Sequence, residues 1–178
     1  MTKKKTTKTT VKKKAAPKKR KKIAGLTTSL LDEMVEKAVA VRGNAYAPYS
    51  KYQVGAAILS ESGTIYVGAN CENAHYKATH AESSAIAAMV SAGERVIRAV
   101  VVAGPDDRPL SSPCGSCRQE INEFATANTP IYCVGDGGAH GRIYSLESLL
   151  PESFGPKSLT KLKKIPQKRR ATKKKVKK

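Results

Sequence analysis

Charge is divided along this chain so sharply that only its middle is expected to fold. Met1 to Lys22 contains twelve Lys or Arg residues and no acid, and Lys157 to Lys178 contains twelve more, again without an acid. Such stretches bury too little apolar surface to form a core, so the sequence predicts disordered basic tails at residues 1–22 and 161–178. Ile23 to Pro156 holds nine basic residues against fourteen acids, a net charge of 9 − 14 = −5. We therefore expect one mildly acidic domain, residues 23–160, although the whole chain carries +19.

Hydrophobic periodicity within that domain predicts alternating helices and strands. Helices are expected at Ser29–Val41, Ala81–Ser91, Gly115–Ala125 and Ser145–Leu150. Ser29 is the expected N-cap of the first helix, with Asp32 and Glu33 in its first turn. Strands are expected at Val54–Leu59, Thr64–Gly68, Val96–Ala103, Pro130–Val134 and Gly141–Tyr144, with a hairpin turn at Glu61–Gly63 between the first two. The β-branched run at 96–103 is typical of a strand buried on both faces, and the element order favours an α/β fold with a mixed sheet.

Two short motifs carry chemistry, and each opens a predicted helix. One is His80-Ala81-Glu82 and the other is Pro113-Cys114-Gly115-Ser116-Cys117. A catalytic zinc takes three protein ligands and keeps a fourth position for water, whose pKa it lowers to about 7. His80, Cys114 and Cys117 supply such a ligand set, and Glu82 is placed to move protons. The N-termini of the two helices add positive potential that favours thiolates.

Two other interpretations of the Cys-x-x-Cys pair are open on the residues alone. A structural zinc site needs a fourth ligand, and the remaining candidates fit poorly by position: Cys71, His75, Cys133 and His140. A redox pair leaves His80 and Glu82 without a role. The combination of H-x-E with P-C-x-x-C is the pattern of zinc nucleobase deaminases, which favours a hydrolytic site that removes an amino group.

The sequence also indicates where the chain works and what its tails meet. No apolar segment follows the basic N-terminus as in a secretory signal peptide, and no apolar run approaches the ~20 residues that span a membrane. We expect a reducing, cytoplasmic setting without a membrane partner. The tails are expected either to bind nucleic acid or other polyanions nonspecifically or to be solvated without a dedicated partner. They lack aromatic residues that stack on bases, although residues 17–22 resemble a nuclear-import segment, so nuclear or nucleoid association is a further expectation.

Over residues 28–160 the chain resembles the free-nucleoside cytidine deaminases of the compact, homotetrameric type. Four segments carry the resemblance in the family's order: Ala47–Ala57, Gly68–Ala74, Ser112–Gln119 and Leu149–Pro156. It implies a three-layer α/β/α fold with a mixed five-stranded sheet and one Zn²⁺ per subunit. It also implies hydrolysis of cytidine and deoxycytidine to uridine and deoxyuridine with release of ammonia, as in pyrimidine salvage. A zinc-bound hydroxide attacks C4 of the ring in this scheme, and Glu82 shuttles protons.

The same resemblance implies which residues bind the substrate. Asn70 and Glu72 match a pair that hydrogen-bonds the ribose hydroxyls, and Tyr52 matches an aromatic position, usually Phe, that packs on the pyrimidine. Phe154 matches an aromatic residue that reaches the site of a neighbouring subunit, and Tyr76 one at the subunit boundary. A homotetramer with shared sites is thus implied. Core packing is an alternative for each aromatic residue, and for Tyr76 it is equally supported.

The chain departs from compact family members at two positions of the metal motif. Those members usually carry Cys in place of His80 and Arg in place of Ser83. Three thiolates leave Zn²⁺ with a net charge of −1, which an Arg beside the sulfurs offsets, whereas one His and two Cys give 2 − 2 = 0. The two departures therefore explain each other electrostatically and indicate a working site.

Three alternative functions follow from the same features. The tails could bring DNA or RNA to the zinc site of a polynucleotide cytosine deaminase, but Asn70 and Glu72 would occupy the sugar hydroxyl through which a polymer continues. A non-enzymatic nucleic-acid-binding protein on a deaminase core is disfavoured by the intact set of metal-site residues with Glu82. A deaminase of an aminopyrimidine nucleoside antibiotic is open within the family.

Overall fold

The computed structural model describes residues 26–105, 110–138 and 141–160. Their elements, in chain order, are α1 (Thr28–Arg42), β1 (Gly55–Ser60), β2 (Ile65–Ala69), β3 (Cys71–Glu72), β4 (Ala78–Thr79), α2 (Ala81–Ser91), β5 (Ile97–Ala103), α3 (Gly115–Phe124), β6 (Pro130–Val134), a 3₁₀ turn (Asp136–Gly138), β7 (Gly141–Ser145), α4 (Leu146–Leu149) and α5 (Pro156–Thr160). The predicted tails, 1–22 and 161–178, lie outside the described residues.

Five of the strands form one mixed sheet in the order β2-β1-β5-β6-β7. β5 and β6 run parallel, and the other three neighbouring pairs are antiparallel. Glu61–Gly63 joins β1 to β2, and Gly63 takes a φ of 92° that suits a residue without a Cβ. The α/β class, the mixed five-stranded sheet and this hairpin are confirmed.

Alternate residues of the central strands divide the core into two parts, one on each face of the sheet. Ala57, Leu59, Val101 and Val134 face α1, where they pack with Leu31, Met34, Val35 and Ala38. Ile58, Val100, Val102 and Ile131 face the other way and pack with residues of α2, α3 and α4, among them Ala85, Met89, Ile121 and Leu146. Helices therefore cover both faces, as expected for three layers, and all of β5 except Arg98 is buried.

The predicted N-cap of α1 is wrong. The helix begins at Thr28, and Thr27 caps it by accepting a hydrogen bond from the Leu30 N–H at 3.2 Å. Thr27 is favoured over Ser29 as the N-cap because of the residue just before it. With Thr27 as the cap, Leu26 packs with the part of the core that contains Leu31, the fourth residue of the helix. Asp32 and Glu33 consequently lie beyond the first turn, which holds no acid.

A short hairpin between β2 and α2 is not predicted by the sequence pattern. β3 and β4 are two residues each, too short to show an alternation, and they pair as Cys71 with Thr79 and Glu72 with Ala78. Tyr46 bridges to Cys71 in parallel, which attaches the loop after α1 to this hairpin. The hairpin matters because His80 follows β4 directly and begins the turn into α2. The short α5 was also not predicted.

Within residues 26–105, 110–138 and 141–160, no helix is long and apolar enough to cross a bilayer. The four cysteines carry free thiols, two of them exposed and two buried.

Candidate active site

Three predicted ligands meet between the N-termini of α2 and α3. His80 and Cys114 each occupy the N-cap position with extended backbone, and neither side chain makes a capping bond, so both are free to turn toward an ion. The His80 Nδ1 lies 3.1 Å from the Cys117 Sγ and 3.3 Å from the Cys114 Sγ, and the two sulfurs are 3.4 Å apart. Bonds of about 2.0–2.3 Å to a tetrahedral zinc put neighbouring ligand atoms about 3.5–3.8 Å apart, so the cluster is within a few tenths of an ångström of that geometry.

The chemistry of the donor set fits zinc as well as the distances do. One imidazole and two thiols are the ligands that zinc prefers among protein side chains. Burial and the neighbouring Glu82 raise the pKa of the Cys117 thiol far above its usual value, so a thiolate there requires a cation beside it. Among the residues that the structure describes, His80, Cys114 and Cys117 form the one group of three or more such side chains close enough to hold a metal ion.

Glu82 lies in the first turn of α2 and is only 4% exposed. Burial raises the pKa of its carboxyl above the usual value, and a hydrogen bond from its own backbone N–H and one with Cys117 act in the opposite direction. A carboxyl in this setting can hold a proton and give it up to a nearby base. Glu82 thus has the surroundings expected of a general acid and base.

The position of α2 depends on a glycine of β2. A Cβ added at Gly68 would lie 2.4 Å from the Ala85 N and 2.5 Å from the Ala81 O, so the helix rests directly on the strand there. Ser84 strengthens the contact by donating its hydroxyl to the Ala69 carbonyl at 3.1 Å. This close packing sets where the first turn of α2 presents its side chains.

Arg118 fixes the loop that carries Cys114. Its Nε donates to the Pro113 carbonyl at 2.7 Å, its Nη1 to the Leu149 carbonyl at 2.9 Å and its Nη2 to the Ser112 hydroxyl at 3.2 Å. The guanidinium therefore ties the approach to α3 to the end of α4. The segment Ser112–Gln119 contains Arg118 but does not indicate its role, because the three acceptors of Arg118 are brought together only by the fold.

A cavity of about 340 Å³ opens above the three ligands and Glu82. It is also lined by three predicted substrate-binding residues, Tyr52, Asn70 and Glu72. Residues that sequence reasoning missed complete the wall: Ser50, Val54, Ala78, Ala81, Val102, Ser111 and Ser112. Several of these residues lie inside or next to the segments that carry the family resemblance. That proximity is the sequence signal by which they could have been found.

Asn70 and Glu72 hold the neighbouring loop while facing the cavity. The Asn70 side chain accepts from the Val54 N–H at 2.8 Å and donates to the Tyr52 carbonyl at 2.9 Å. Glu72 accepts from the backbone N–H groups of Tyr49 and Ser50 at 3.0 and 3.2 Å and from the Ser50 hydroxyl. The Ser50 hydroxyl is the main cause that lowers the pKa of Glu72, which keeps this carboxylate ionised and able to accept.

Tyr76 and Phe154 do not line the cavity of this chain. Tyr76 is 95% exposed and has a φ of 61°, and Phe154 is 60% exposed. The Phe154 backbone is nevertheless anchored, because its carbonyl accepts from Gln119 Nε2 at 2.8 Å and from Asn122 Nδ2 at 3.1 Å. Core packing within one chain therefore does not account for either ring.

Comparison with known proteins decides the family. Residues 28–133 match the family model described as the cytidine and deoxycytidylate deaminase zinc-binding region. The chain belongs to the cytidine deaminase family. Among its relatives, the cytidine deaminase of Sporosarcina psychrophila is 39% identical over 131 residues, 73% of this chain and 95% of that protein. That of Halalkalibacterium halodurans is 40% identical over 124 residues, 68% of this chain and 91% of that protein.

A solved cytidine deaminase has the same architecture. The crystal structure of the Burkholderia pseudomallei protein matches with a TM-score of 0.65 and 33% identity, and it covers 72% of this chain and 100% of that one. Within this deaminase family, His80, Cys114 and Cys117 are the zinc-binding triad of the chain. The alternatives of a redox pair and of a structural zinc site with a fourth protein ligand are thereby set aside.

Proposed function

We propose that this deaminase hydrolyses cytidine and deoxycytidine to uridine and deoxyuridine, with release of ammonia, and that Glu82 moves the protons. The observation that carries the proposal is the buried Glu82 carboxyl beside the His/Cys/Cys triad, at the base of a cavity that also presents Asn70 and Glu72. The match with cytidine deaminases along most of the domain supports the substrate.

The triad and Glu82 have separate tasks. Bound to His80, Cys114 and Cys117, zinc supplies a Lewis acid that makes water a nucleophile near neutral pH. Glu82 gives a proton to N3 of the pyrimidine and takes one from the water that adds at C4. The same carboxyl then passes that proton to the amino group on C4, which leaves as ammonia, and takes up the proton that the C4 hydroxyl loses as it becomes the carbonyl of uridine. The sum is cytidine and water to uridine and ammonia.

The residues around the cavity orient the nucleoside. Glu72 is ionised, and a carboxylate with four acceptor positions can receive a sugar hydroxyl besides the loop bonds it already makes. Asn70 has one side-chain N–H beyond the bond to the Tyr52 carbonyl, and it can donate to the same sugar. The Tyr52 ring, 41% exposed, offers a surface on which the base packs.

A conservative change of Glu82 tests the proposal directly. We expect Glu82→Gln to lower kcat for cytidine by about 10²–10⁴-fold, because the amide cannot carry the protons. Ammonia release gives the rate, and the zinc content per chain shows whether the metal is retained. Glu36→Gln, on the exposed side of α1, is the matched control. An active, zinc-loaded Glu82→Gln enzyme would remove Glu82 from the reaction.

The exposed aromatic rings support a homotetramer with shared sites. Tyr76 and Phe154 are 95% and 60% exposed on one chain. Contacts from neighbouring subunits would cover both rings. Sedimentation equilibrium is expected to give four times the chain mass of 19.1 kDa. A monomeric protein with full activity would contradict shared sites.

The basic tails extend the proposal to a polyanionic partner. With about twelve cations each, residues 1–22 and 157–178 would bind nucleic acid through its phosphates, without base recognition. A partner of the tails does not change the substrate proposed here, because the cavity residues would bind a single nucleoside. We place the enzyme in the cytoplasm, where free nucleosides are available, with nuclear or nucleoid association through the tails.

A further inference from the structure

A hydroxyl pair stands in the cavity wall next to the zinc-binding loop. The Tyr52 hydroxyl hydrogen-bonds the Ser111 hydroxyl, and both residues line the same cavity as Glu82. A phenylalanine at this position could not make such a bond. We infer that Ser111 is a positioning residue that fixes the Tyr52 ring for contact with the base, which rests on the proposed function of Tyr52.

The Tyr52 ring is held at both ends. At its backbone, the N–H donates to the Ser50 hydroxyl at 3.0 Å and the carbonyl accepts from the Asn70 amide at 2.9 Å. At its tip, Ser111 is the partner. A tyrosine has two rotatable side-chain torsions, and a fixed backbone with a fixed tip sets the first of them, so the long axis of the ring has one direction. The position of the ring is then set before the nucleoside arrives, and binding does not have to set it.

Ser111 is itself set in place by the end of β5. A Cβ on Gly104 would lie 2.2 Å from the Ser111 Oγ and 2.6 Å from its Cβ, so the serine rests against a bare backbone. That backbone is anchored, because the Gly104 N–H donates to the Val134 carbonyl at 3.0 Å and the Gly104 carbonyl accepts from Arg42 Nη1 at 2.5 Å. The central sheet thus reaches the Tyr52 ring through Gly104 and Ser111.

Removing either hydroxyl should weaken binding of the nucleoside rather than the chemical step. We expect Ser111→Ala and Tyr52→Phe each to raise KM for cytidine about three- to tenfold, the usual effect of one lost hydrogen bond, with kcat within about twofold. The Kd of the product uridine, measured by calorimetry, should rise in parallel. The KM of the double variant should be no higher than the higher KM of the two single variants, since both substitutions remove the same bond.

Two further variants separate positioning from other effects. Gly104→Ala keeps both hydroxyls but pushes Ser111 away, so it should reproduce the KM change of Ser111→Ala. Tyr66→Phe and Ser148→Ala are matched controls, because they lose hydroxyl bonds to Glu94 and to the Ser145 carbonyl, away from the cavity, and should leave KM unchanged. Melting temperatures identify variants that are merely destabilised.

The outcomes distinguish this inference from the proposed function. If Ser111→Ala leaves KM and the uridine Kd unchanged while Tyr52→Ala raises both, Tyr52 contacts the base without help from Ser111 and the inference is wrong. Independent, multiplying effects in the double variant would overturn it as well. If Tyr52→Ala changes neither quantity, the proposed contact between Tyr52 and the base fails, and the inference fails with it.

Discussion

His80 sets the charge of the metal centre. With one neutral imidazole and two thiolates, the ligands balance the two charges of Zn²⁺, so the ion keeps its strength as a Lewis acid without a cationic neighbour. Ser83, half-buried in the first turn of α2, adds no charge beside the ligands. A small neutral side chain is sufficient there because no excess negative charge has to be offset.

Exchanging the imidazole for a third thiolate tests this charge balance. We expect His80→Cys to keep zinc bound but to lower kcat about tenfold, because the extra negative charge weakens the polarisation of water. Adding Ser83→Arg should restore part of the loss, whereas Ser83→Arg alone should give no gain. Cytidine turnover per bound zinc is the measurement. A single His80→Cys variant as active as the wild type would refute the charge argument.

At the scale of residues, the sequence predicts the residues that carry the chemistry better than it predicts the residues that hold them in place. His80, Glu82, Cys114 and Cys117 come from compact motifs at helix starts, and the structure brings all four together. Ser111 and Arg118 act through partners distant in the chain, Tyr52 and Leu149, which no local pattern indicates. The role of Asn70 in holding the Tyr52 and Val54 backbone is a similar case, because only folding brings that loop to its amide.

Two glycines let the helices on opposite faces approach the same hairpin. Gly55 of β1 lies against α1, where an added Cβ would be 2.1 Å from the Ala38 O. Gly68 of β2 lies against α2, where the corresponding distance to the Ala85 N is 2.4 Å. Both contacts are too close for any side chain, but only α2 carries a zinc ligand and Glu82 at its start.

Alanine at each glycine should therefore separate stability from function. We expect Gly55→Ala and Gly68→Ala both to lower the free energy of unfolding by about 1–3 kcal/mol, as overpacking does. Only Gly68→Ala should also lower zinc content, because it displaces the start of α2. Urea denaturation and metal analysis give the two quantities. Equal losses of zinc in both variants would contradict the assignment of separate faces.

At the scale of elements, segments with a hydrophobic pattern of their own were predictable, and the two-residue strands β3 and β4 were not. The helix Ala81–Ser91 and the strand Pro130–Val134 have their predicted bounds, and each other predicted element differs by one residue at one or both ends. β3 and β4 are held by pairing with each other and by Tyr46, not by a pattern of their own. The start of α1 was misplaced because Leu26 contributes packing outside the helix that local capping rules do not weigh.

At the scale of the whole molecule, the distribution of charge assigns catalysis to the acidic domain and attraction to polyanions to the basic tails. We expect a form trimmed to residues 23–160 to keep kcat/KM for cytidine within about twofold and to lose binding to single-stranded DNA. Binding by the full chain should weaken by about three hundredfold or more between 50 and 200 mM salt, if the tails contact six or more phosphates of the single strand. Neither form should release ammonia from the DNA.

The controls of this experiment address the rival functions. DNA deamination by the full chain alone would favour a polynucleotide deaminase recruited by the tails. Loss of cytidine turnover on trimming would show that the tails belong to the catalytic unit. DNA binding without any cytidine turnover would support a nucleic-acid-binding protein on a deaminase core.

The central strand β5 separates the zinc ligands along the chain, since His80 precedes it and Cys114 follows 34 residues later. A local hairpin such as β1–β2 closes early in folding, because little chain entropy is lost, whereas pairing of β5 with β1 and β6 closes larger loops. We therefore expect the imidazole of His80 to join the two thiols only after β5 has entered the sheet. If so, zinc acquires its full set of ligands late in refolding, and the rate at which the complete site forms reports on closure of the middle of the sheet.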